Sequence, residues 1–243
     1  MKIVLSVKRS TFRQDDPLSV ERDDAFRKVR PSILKRDKYT CQADGCGYQS
    51  KEGLEVHHRD DDHGNHDASN LITFCPLCHA CHHIGFVGAR RCGDLIYLDP
   101  ALQVSQGALN ALVRQLWVAE RSSDQNLSMH AVGFLARLQK LRVAARRQLG
   151  TSDPSTLSDI LLNLSKEEYA RRATTLSGIY LLPLRQGFER HAQQAMSQTK
   201  ATFPVGRWGE TARKETLRWL AQPGQTLTDA DLQDLLVSPP ALP

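Results

Sequence analysis

The chain has 243 residues, of which 40% are hydrophobic and 24% charged, as in an ordinary globular protein. This length suffices for one large domain or two small domains with a hydrophobic core. The formal net charge of +5 is compatible with nucleic-acid binding but too small to indicate it.

The first ten residues, MKIVLSVKRS, contain a short apolar run that ends at Lys8 and Arg9. This run is too short for a signal peptide and favours a β-strand. Nothing later approaches the ~18 consecutive apolar residues that a transmembrane helix needs. We therefore expect a cytoplasmic protein without membrane insertion, whose thiols stay reduced, so that the six cysteines favour metal binding over disulfides.

Composition and pattern divide the chain into four predicted parts. They are an N-terminal strand and charged arm (1–30), a module rich in cysteine and histidine (31–99), a helical region (100–200), and C-terminal helices with a Pro-rich tail (201–243). The charge density of residues 9–30 predicts a flexible arm, and Pro31 predicts the first turn of a short helix.

Apolar residues recur at helical spacing after Pro100, over residues 104–121 and 130–150. Gly150 is expected to end the second of these helices, and Ser165 with Glu168 forms the capping-box pattern of another helix. Asp94–Leu98 predicts a strand. YLLPL predicts a helix break at Pro183, and the Pro-rich end of the chain is predicted to be disordered.

Four cysteines form two close pairs, C-x4-C at Cys41 and Cys46 and C-x2-C at Cys75 and Cys78. Asp44-Gly45 supplies turn-forming residues within the first pair. Two such pairs predict a tetrahedral zinc site with four thiolate ligands.

Three further residues leave alternatives open. Cys81 and His82 follow Cys78 by three and four residues, so they share its helix face and are second-choice zinc ligands. Cys92 has no evident partner and is interpreted as a buried free thiol.

Seven of the nine histidines lie between residues 54 and 83. His79 and His83 are predicted to share one face of a helix that begins near Pro76, about 100° from Cys78. LEV and NLITF predict two strands before this helix, and His57 and His58 end the first strand. The order strand, loop, strand, helix, with ligand residues at both ends, predicts a ββα-metal arrangement.

The loop RDDDHGNHDASN fails as a calcium loop, because Gly64 is one place early and Leu71 occupies the closing acidic position. His63 and His66 are interpreted as solvated loop residues. The basic residues between Arg27 and Lys38 could contact a phosphate backbone or form a solvated charged face, and the sequence favours neither.

The order of His57, His58, Asn70, His79 and His83 resembles the HNH endonuclease motif, over about a quarter of the chain. The resemblance implies that His58 is the general base and that Asn70 holds the His58 loop in shape. It also implies that His57, His79 and His83 bind a second divalent metal: Mg²⁺, Mn²⁺, Ni²⁺ or Zn²⁺. The implied activity is metal-dependent phosphodiester hydrolysis, with a base whose ordinary pKa is ~6.5.

A second resemblance spans about Leu5 to His191 and rests on ILKRDKYTCQ, NLITFCPLCHACHH, DLIYL, LGTSDPSTL and YLLPLRQGFERH, in this order. Together these segments resemble the IcmJ (DotN) family of type IVB (Dot/Icm-like) secretion and conjugation systems. The implied fold is α+β, a zinc-knuckle HNH-like ββα-metal module followed by a mainly helical half.

The same resemblance implies an adaptor that binds the type IV coupling ATPase, close to an inner-membrane secretion complex. The family can carry a degenerate nuclease site, whereas this chain keeps the full set of histidines. We therefore expect a component of the secretion or conjugation coupling complex that retains an HNH site, with its partner interface on residues 101–200. The alternative is a stand-alone HNH endonuclease whose partner is DNA.

Overall fold

A computed structural model describes residues 1–9, 19–121, 123 and 125–199. The predicted C-terminal helices and Pro-rich tail (201–243) lie outside these residues. The helices are α1 (Ser19–Arg36), α2 (Pro76–Ala80), α3 (Ile84–Ala89), α4 (Gln106–Glu120), α5 (Gln125–Lys140), α6 (Arg142–Leu149), α7 (Pro154–Asn163), α8 (Lys166–Ala170), α9 (Arg172–Thr175) and α10 (Glu189–Thr199). The strands are β1 (Glu55–His58), β2 (Leu71–Phe74), β3 (Gly93–Tyr97) and β4 (Ile179–Pro183). No helix in the described ranges is long and apolar enough to cross a bilayer.

The N-terminal segment forms no strand over residues 1–9, contrary to the prediction. Ile3, Leu5 and Val7 are buried at alternate positions, as the apolar pattern requires. Their segment, however, bonds to a turn and not to another strand: the Ser6 amide donates to Cys81 (2.9 Å), and the Ile84 amide donates to Ser6 (3.2 Å).

Helix α1 contains Pro31 in its interior, so the predicted short helix starting at Pro31 is wrong, as is the flexible arm over residues 19–30. Pro31 lacks an amide hydrogen but does not end the helix, because α1 packs against both strands of the ββ unit. Arg30 donates to the carbonyl of Leu54 and Arg36 to that of Leu71, at 2.7 and 2.8 Å. At least these two residues of the basic run therefore brace the fold.

The predicted strand–strand–helix unit is present. Strands β1 and β2 pair antiparallel, with His57 opposite Ile72 and His58 opposite Leu71. Helix α2 starts directly after β2, with Pro76 at its first position, where a missing amide hydrogen costs nothing. This unit and the helices that follow make the fold α+β.

Strand β4 was not predicted, and the expected helix break at Pro183 is instead the end of this strand. It pairs antiparallel with β3, Gly93 lying opposite Pro183 and Tyr97 opposite Ile179. The pairing joins segments more than eighty residues apart, which local sequence cannot reveal. The predicted 130–150 helix is likewise two helices, α5 and α6, although Gly150 ends the second with φ 77° as expected.

Helix α4 ties the helical half to the cysteine-rich module. The Gln106 side chain binds the backbone of Leu181, donating to its oxygen (2.8 Å) and accepting from its nitrogen (2.9 Å). A Cβ on Gly107 would lie 2.3 Å from the Asp44 carbonyl oxygen, so only glycine permits this close approach. One buried apolar cluster includes residues of both parts. The domain boundary near residue 100 stays a prediction.

Candidate functional site

Four thiols meet in one buried cluster, those of Cys41, Cys46, Cys75 and Cys78, whose sulfur atoms all lie within 4.8 Å of one another. The Sγ atoms of Cys46 and Cys75 are 3.7 Å apart. Four sulfur ligands at ~2.3 Å from a tetrahedral ion would be separated by about 3.8 Å. All six cysteines are free thiols. The structure thus brings the four predicted ligands together in an arrangement that fits zinc.

Local chain geometry explains how this cluster forms. Gly45 has φ 77°, which allows the tight turn that returns the Cys46 amide to the Ala43 carbonyl at 3.0 Å. Cys75 immediately precedes α2, and Cys78 lies inside it. Each cysteine pair therefore carries its own turn, as the spacing predicts.

Two polar side chains of α4 border the cluster. Arg114 is 2% exposed, and its Nη1 lies 3.8 Å from Cys46 Sγ and 3.9 Å from Cys75 Sγ. Asn110 Nδ2 lies 3.3 Å from Cys78 Sγ. Sequence analysis missed both residues, because their helix follows the cysteines by about thirty positions and its pattern indicates only an apolar face.

Ionisation in the cluster is uneven. Hydrogen bonds from Cys41, Cys75 and Cys78 lower the pKa of Cys46 well below its usual value, and the charge of Arg114 adds to this. Burial raises the pKa of Cys75 and of Cys78. The negative charge of Cys46 raises both further, because a second thiolate would lie beside the first. A bound cation would remove this penalty, because metal ligation requires thiolates.

The alternative zinc ligands lie outside the cluster. Cys81 donates to the Leu77 carbonyl at 3.3 Å. His82 is buried and stacks on His57, with ring centroids 4.3 Å apart. Cys92 is buried and donates to a backbone carbonyl, which agrees with its interpretation as a free thiol.

A second group forms from His57, His79 and His83, whose ring nitrogens all lie within 4.8 Å of one another. Nε2 of His79 and Nε2 of His83 are 3.3 Å apart. Imidazole ligands at ~2.0–2.1 Å from a tetrahedral ion would be separated by about 3.4 Å. The structure thus also brings together the three histidines predicted to bind a divalent metal.

The predicted placement of His79 and His83 on one helix is wrong. Helix α2 ends at Ala80, and the amides of His82 and His83 bond three residues back, to His79 and Ala80. Such tightening ends the helix, and His83 precedes α3. The two imidazoles therefore meet across a turn.

Glu55 orients one of the three imidazoles. Its carboxylate accepts a hydrogen bond from Nδ1 of His79, which leaves Nε2 of His79 for His83 or a metal. Carboxylate–histidine–metal contacts of this kind fix the tautomer and raise the basicity of the ligand. Burial raises the pKa of Glu55, but the hydrogen bond and charge of His79 outweigh it and lower that pKa below its usual value. Sequence analysis missed Glu55, although its position two residues before His57 puts both on one strand face.

Two imidazoles of this group, those of His57 and His83, are held neutral. Burial lowers the pKa of His57 far below its usual value, and the neighbouring His82 and His79 lower it further. Burial and the same two neighbours lower the pKa of His83 to about 3. Neutral imidazole is the form that binds a metal ion.

His58 points to a different set of neighbours. Its Nε2 lies 3.1 Å from Nδ1 of His66, and its ring stacks on His63 with centroids 5.1 Å apart. The interpretation of His63 and His66 as solvated is therefore wrong. Burial and these two histidines lower the pKa of His58 to about 4. The expectation that His58 keeps the ordinary histidine pKa of ~6.5 is therefore wrong as well.

Asn70 directly precedes β2 and bonds to the loop that follows His58. Its Nδ2 donates to Asp60 Oδ1 (2.9 Å) and to the Asn65 carbonyl (3.0 Å), and its Oδ1 accepts from the Asp60 amide (3.2 Å). The Arg59 amide also donates to the Asn70 carbonyl at 2.9 Å. Asn70 thus braces the loop that begins directly after His58.

Comparison with known proteins gives an informative similarity. No protein-family profile matches the chain. The chain is 29% identical over 180 residues to the Type 4 apparatus protein DotN of Legionella pneumophila. The aligned region covers 71% of this chain and 79% of that protein. The match is too long to rest on the cysteine- and histidine-rich region alone, so it also includes part of the helical half.

Proposed function

We propose that this chain, which belongs to the IcmJ (DotN) family, is a zinc-binding component of a type IV secretion or conjugation apparatus. The observation that carries the proposal is the similarity to a Type 4 apparatus protein over 71% of the chain. The buried Cys41, Cys46, Cys75 and Cys78 cluster supports the zinc part, since its sulfur spacing fits a tetrahedral ion.

The proposed role of the zinc is structural. Four sulfur ligands fill a tetrahedral site and leave no open position for a substrate. The four cysteines are at most 4% exposed, and α4 covers them with Asn110 and Arg114. Zinc would therefore stabilise the contact between the cysteine-rich module and the helical half.

The proposed partner is the type IV coupling ATPase, with the chain on the cytoplasmic face of the secretion complex. The proposed interface lies on the helical half, where Met129 and Val132 on α5 and Val143 on α6 are apolar and are 64%, 48% and 51% exposed. Helix α4 itself is packed into the core, so deleting the chain after residue 100 would uncover buried surface. Tests of binding therefore need the full chain.

Complementation tests this function. We expect that deleting the gene in a host with a type IV system lowers transfer of DNA or protein, and that wild-type chain restores it. Cys78→Ser should fail to restore transfer, and Cys92→Ser should restore it, because only Cys78 belongs to the cluster. Unchanged transfer in the deletion strain would contradict the proposal.

Metal-dependent phosphodiester hydrolysis is the second proposed function, and the observation that favours it is the His57, His79 and His83 group with Glu55 behind His79. A divalent ion bound there would supply Lewis-acid stabilisation of the phosphate. His58 would accept a proton from water, and Asn70 would hold the loop. A pKa of about 4 makes His58 a weak base at neutral pH, and its contact with His66 would have to open.

A nicking assay separates the two functions. Supercoiled plasmid is incubated with the full chain and Mg²⁺, Mn²⁺, Ni²⁺ or Zn²⁺, and His58→Ala is the control. Cleavage that needs both the metal and His58 would support an HNH endonuclease, either within the apparatus or alone. Absence of cleavage under all four metals, together with complementation by His58→Ala, would leave the zinc-binding component as the whole function.

A further inference from the structure

Arg114 is a buried cation that borders the sulfur cluster through Cys46 and Cys75. The residue is 2% exposed, and no carboxylate in the described part of the chain forms a salt bridge with it. A buried, unpaired charge is strongly destabilising. Nη1 lies 3.8 Å from Cys46 Sγ and Nη2 lies 3.9 Å from the same sulfur, so the cation sits against the cluster.

The guanidinium is held there by two further contacts. Its carbon lies 4.6 Å from the centre of the Tyr48 ring, over the ring face. Nη2 donates to the Cys46 carbonyl at 3.2 Å. The position of Arg114 is therefore fixed by the fold and does not depend on the weak bonds to sulfur.

Asn110 precedes Arg114 by one helical turn and faces the same cluster. Gln106, one turn earlier again, donates from Nε2 to Asn110 Oδ1 at 3.0 Å. This bond fixes the orientation of the Asn110 amide, so its Nδ2 faces Cys78 Sγ at 3.3 Å and Cys81 Sγ at 3.8 Å. One face of α4 thus presents ordered hydrogen-bond donors to at least three of the four clustered sulfur atoms.

We propose that Asn110 and Arg114 are positioning residues of the four-cysteine site, which hold its thiolates in place and offset their negative charge. Four thiolates around one divalent ion leave two negative charges uncompensated, and Arg114 supplies one positive charge beside them. Donors to a thiolate lower its nucleophilicity and its tendency to leave the metal. The consequence is slow metal release and slow reaction with electrophiles. This inference rests on the proposed zinc site.

The cluster contains its own matched comparison. Cys41 and Cys46 are each 4% exposed, so solvent access does not separate them. Arg114 lies within hydrogen-bonding distance of Cys46 Sγ. In the described part of the chain, neither Arg114 nor Asn110 forms a hydrogen bond with Cys41 Sγ. The proposal therefore predicts different reactivity for two equally buried thiolates of one site.

Limited alkylation of the zinc-loaded full chain tests this difference. The protein is treated with N-ethylmaleimide, and singly modified species are mapped by mass spectrometry at early times, before metal loss changes the site. We expect modification of Cys41 to exceed that of Cys46 at least about tenfold, the size of effect typical of outer contacts to metal ligands. Equal rates, or faster modification of Cys46, would overturn the proposal.

Substitutions extend the test. Arg114→Met should release zinc to a chromophoric chelator about 10–100-fold faster and bring the two alkylation rates together, while Arg121→Met at the exposed end of α4 should do neither. Asn110→Asp keeps the bond from Gln106 but replaces the donor to sulfur with a carboxylate oxygen, and should also speed release. Zinc release at the wild-type rate from both folded variants would overturn the proposal.

These outcomes are distinguishable from failure of the zinc site itself. Wild-type chain that folds without zinc would contradict the proposed zinc-binding function, and this inference with it. Zinc-loaded wild type whose Cys41 and Cys46 react equally would contradict this inference alone. If Arg114→Met fails to fold, the relative alkylation rates of Cys41 and Cys46 in the wild type still test the proposal.

Discussion

Glu55 accepts a hydrogen bond from Nδ1 of His79, and Nε2 of the same ring lies 3.3 Å from Nε2 of His83. The carboxylate therefore selects the tautomer in which His79 offers its free nitrogen to the histidine group. Because Glu55 and His57 lie on one face of β1, a single strand supplies both one imidazole of the group and the residue that orients another. This arrangement gives the histidine group its strongest similarity to a metal site.

Glu55→Gln tests that arrangement. Glutamine keeps the size and an acceptor oxygen but removes the charge, so we expect metal affinity at the histidine group to fall about 10–100-fold. Titration of zinc-loaded chain with Ni²⁺ or Mn²⁺, followed by calorimetry, measures this affinity. Glu52→Gln, in the exposed loop before β1, is the matched control. Equal affinities for all three proteins would exclude a role for Glu55 in metal binding.

Cys78→Ser should remove the tightly held zinc. Structural zinc contributes about 10 kcal/mol or more to folding of isolated zinc peptides, and the Cys78 thiol is completely buried beside Asn110. We expect insoluble or partly unfolded protein and loss of zinc by elemental analysis. Cys92→Ser is the control, since Cys92 is also buried but lies outside the cluster. Folded Cys78→Ser protein with the zinc content of the wild type would refute the assignment.

The histidines give three distinct expectations if the chain is a nuclease. His58→Ala should lower plasmid cleavage ~10²–10⁴-fold with nearly unchanged metal affinity, because a general base is not a ligand. His83→Ala should weaken metal binding and be partly rescued by excess metal. Asn70→Ala should lower plasmid cleavage to an intermediate degree, because it removes the hydrogen bonds that hold the loop through Asp60 and Asn65. Cleavage by His58→Ala at the wild-type rate would rule out this residue as the base.

We expect His191 to make folding sensitive to acid. It is 3% exposed, its ring packs on Tyr48 with centroids 4.6 Å apart, and both its nitrogens lack a partner within the described residues. Burial lowers the pKa of His191 to about 3, and the charge of Arg114 adds to this effect. An unfolded histidine has a pKa of ~6.5, so below that pH the unfolded chain binds a proton that the folded chain does not.

The free energy of unfolding should therefore fall as pH decreases through 6.5, and His191 alone should account for about 2 kcal/mol between pH 7 and pH 5. His191→Phe keeps a ring against Tyr48 and removes the titration. Urea unfolding at both pH values should show that the free energy of unfolding falls by about 2 kcal/mol less in the variant than in the wild type. The same loss in both proteins would mean that His191 is not held neutral by the fold.

The sequence predicted the four cysteines and the pair His79 and His83 from short spacings, whereas His57 was implied by the HNH resemblance. Each cysteine pair spans one turn, and His79 and His83 are separated by only four residues. Even an incorrect helix assignment kept these two imidazoles close, since a tightened turn after Ala80 returns the chain in the same direction. Local patterns therefore sufficed for the two cysteine pairs and for the proximity of His79 and His83, but not for the approach of His57 to them.

The surroundings of the two groups could not be predicted in this way. Arg114 and Asn110 reach the cysteines only because α4 packs on the module, through Gln106 and the missing side chain of Gly107. His66 reaches His58 because the intervening loop folds back, a conformation that Asn70 stabilises. These contacts set the pKa shifts, and they depend on tertiary packing that no periodicity encodes.

The central claim is that the chain is a zinc-binding component of a type IV apparatus, and co-purification from its native host tests it most directly. The tagged full chain is expressed at its natural level, recovered under mild conditions, and analysed for zinc and for bound proteins by mass spectrometry. We predict about one zinc per chain in the cysteine site and enrichment of the type IV coupling ATPase over an untagged strain. Recovery of folded, zinc-loaded chain without any protein of the apparatus would contradict the account.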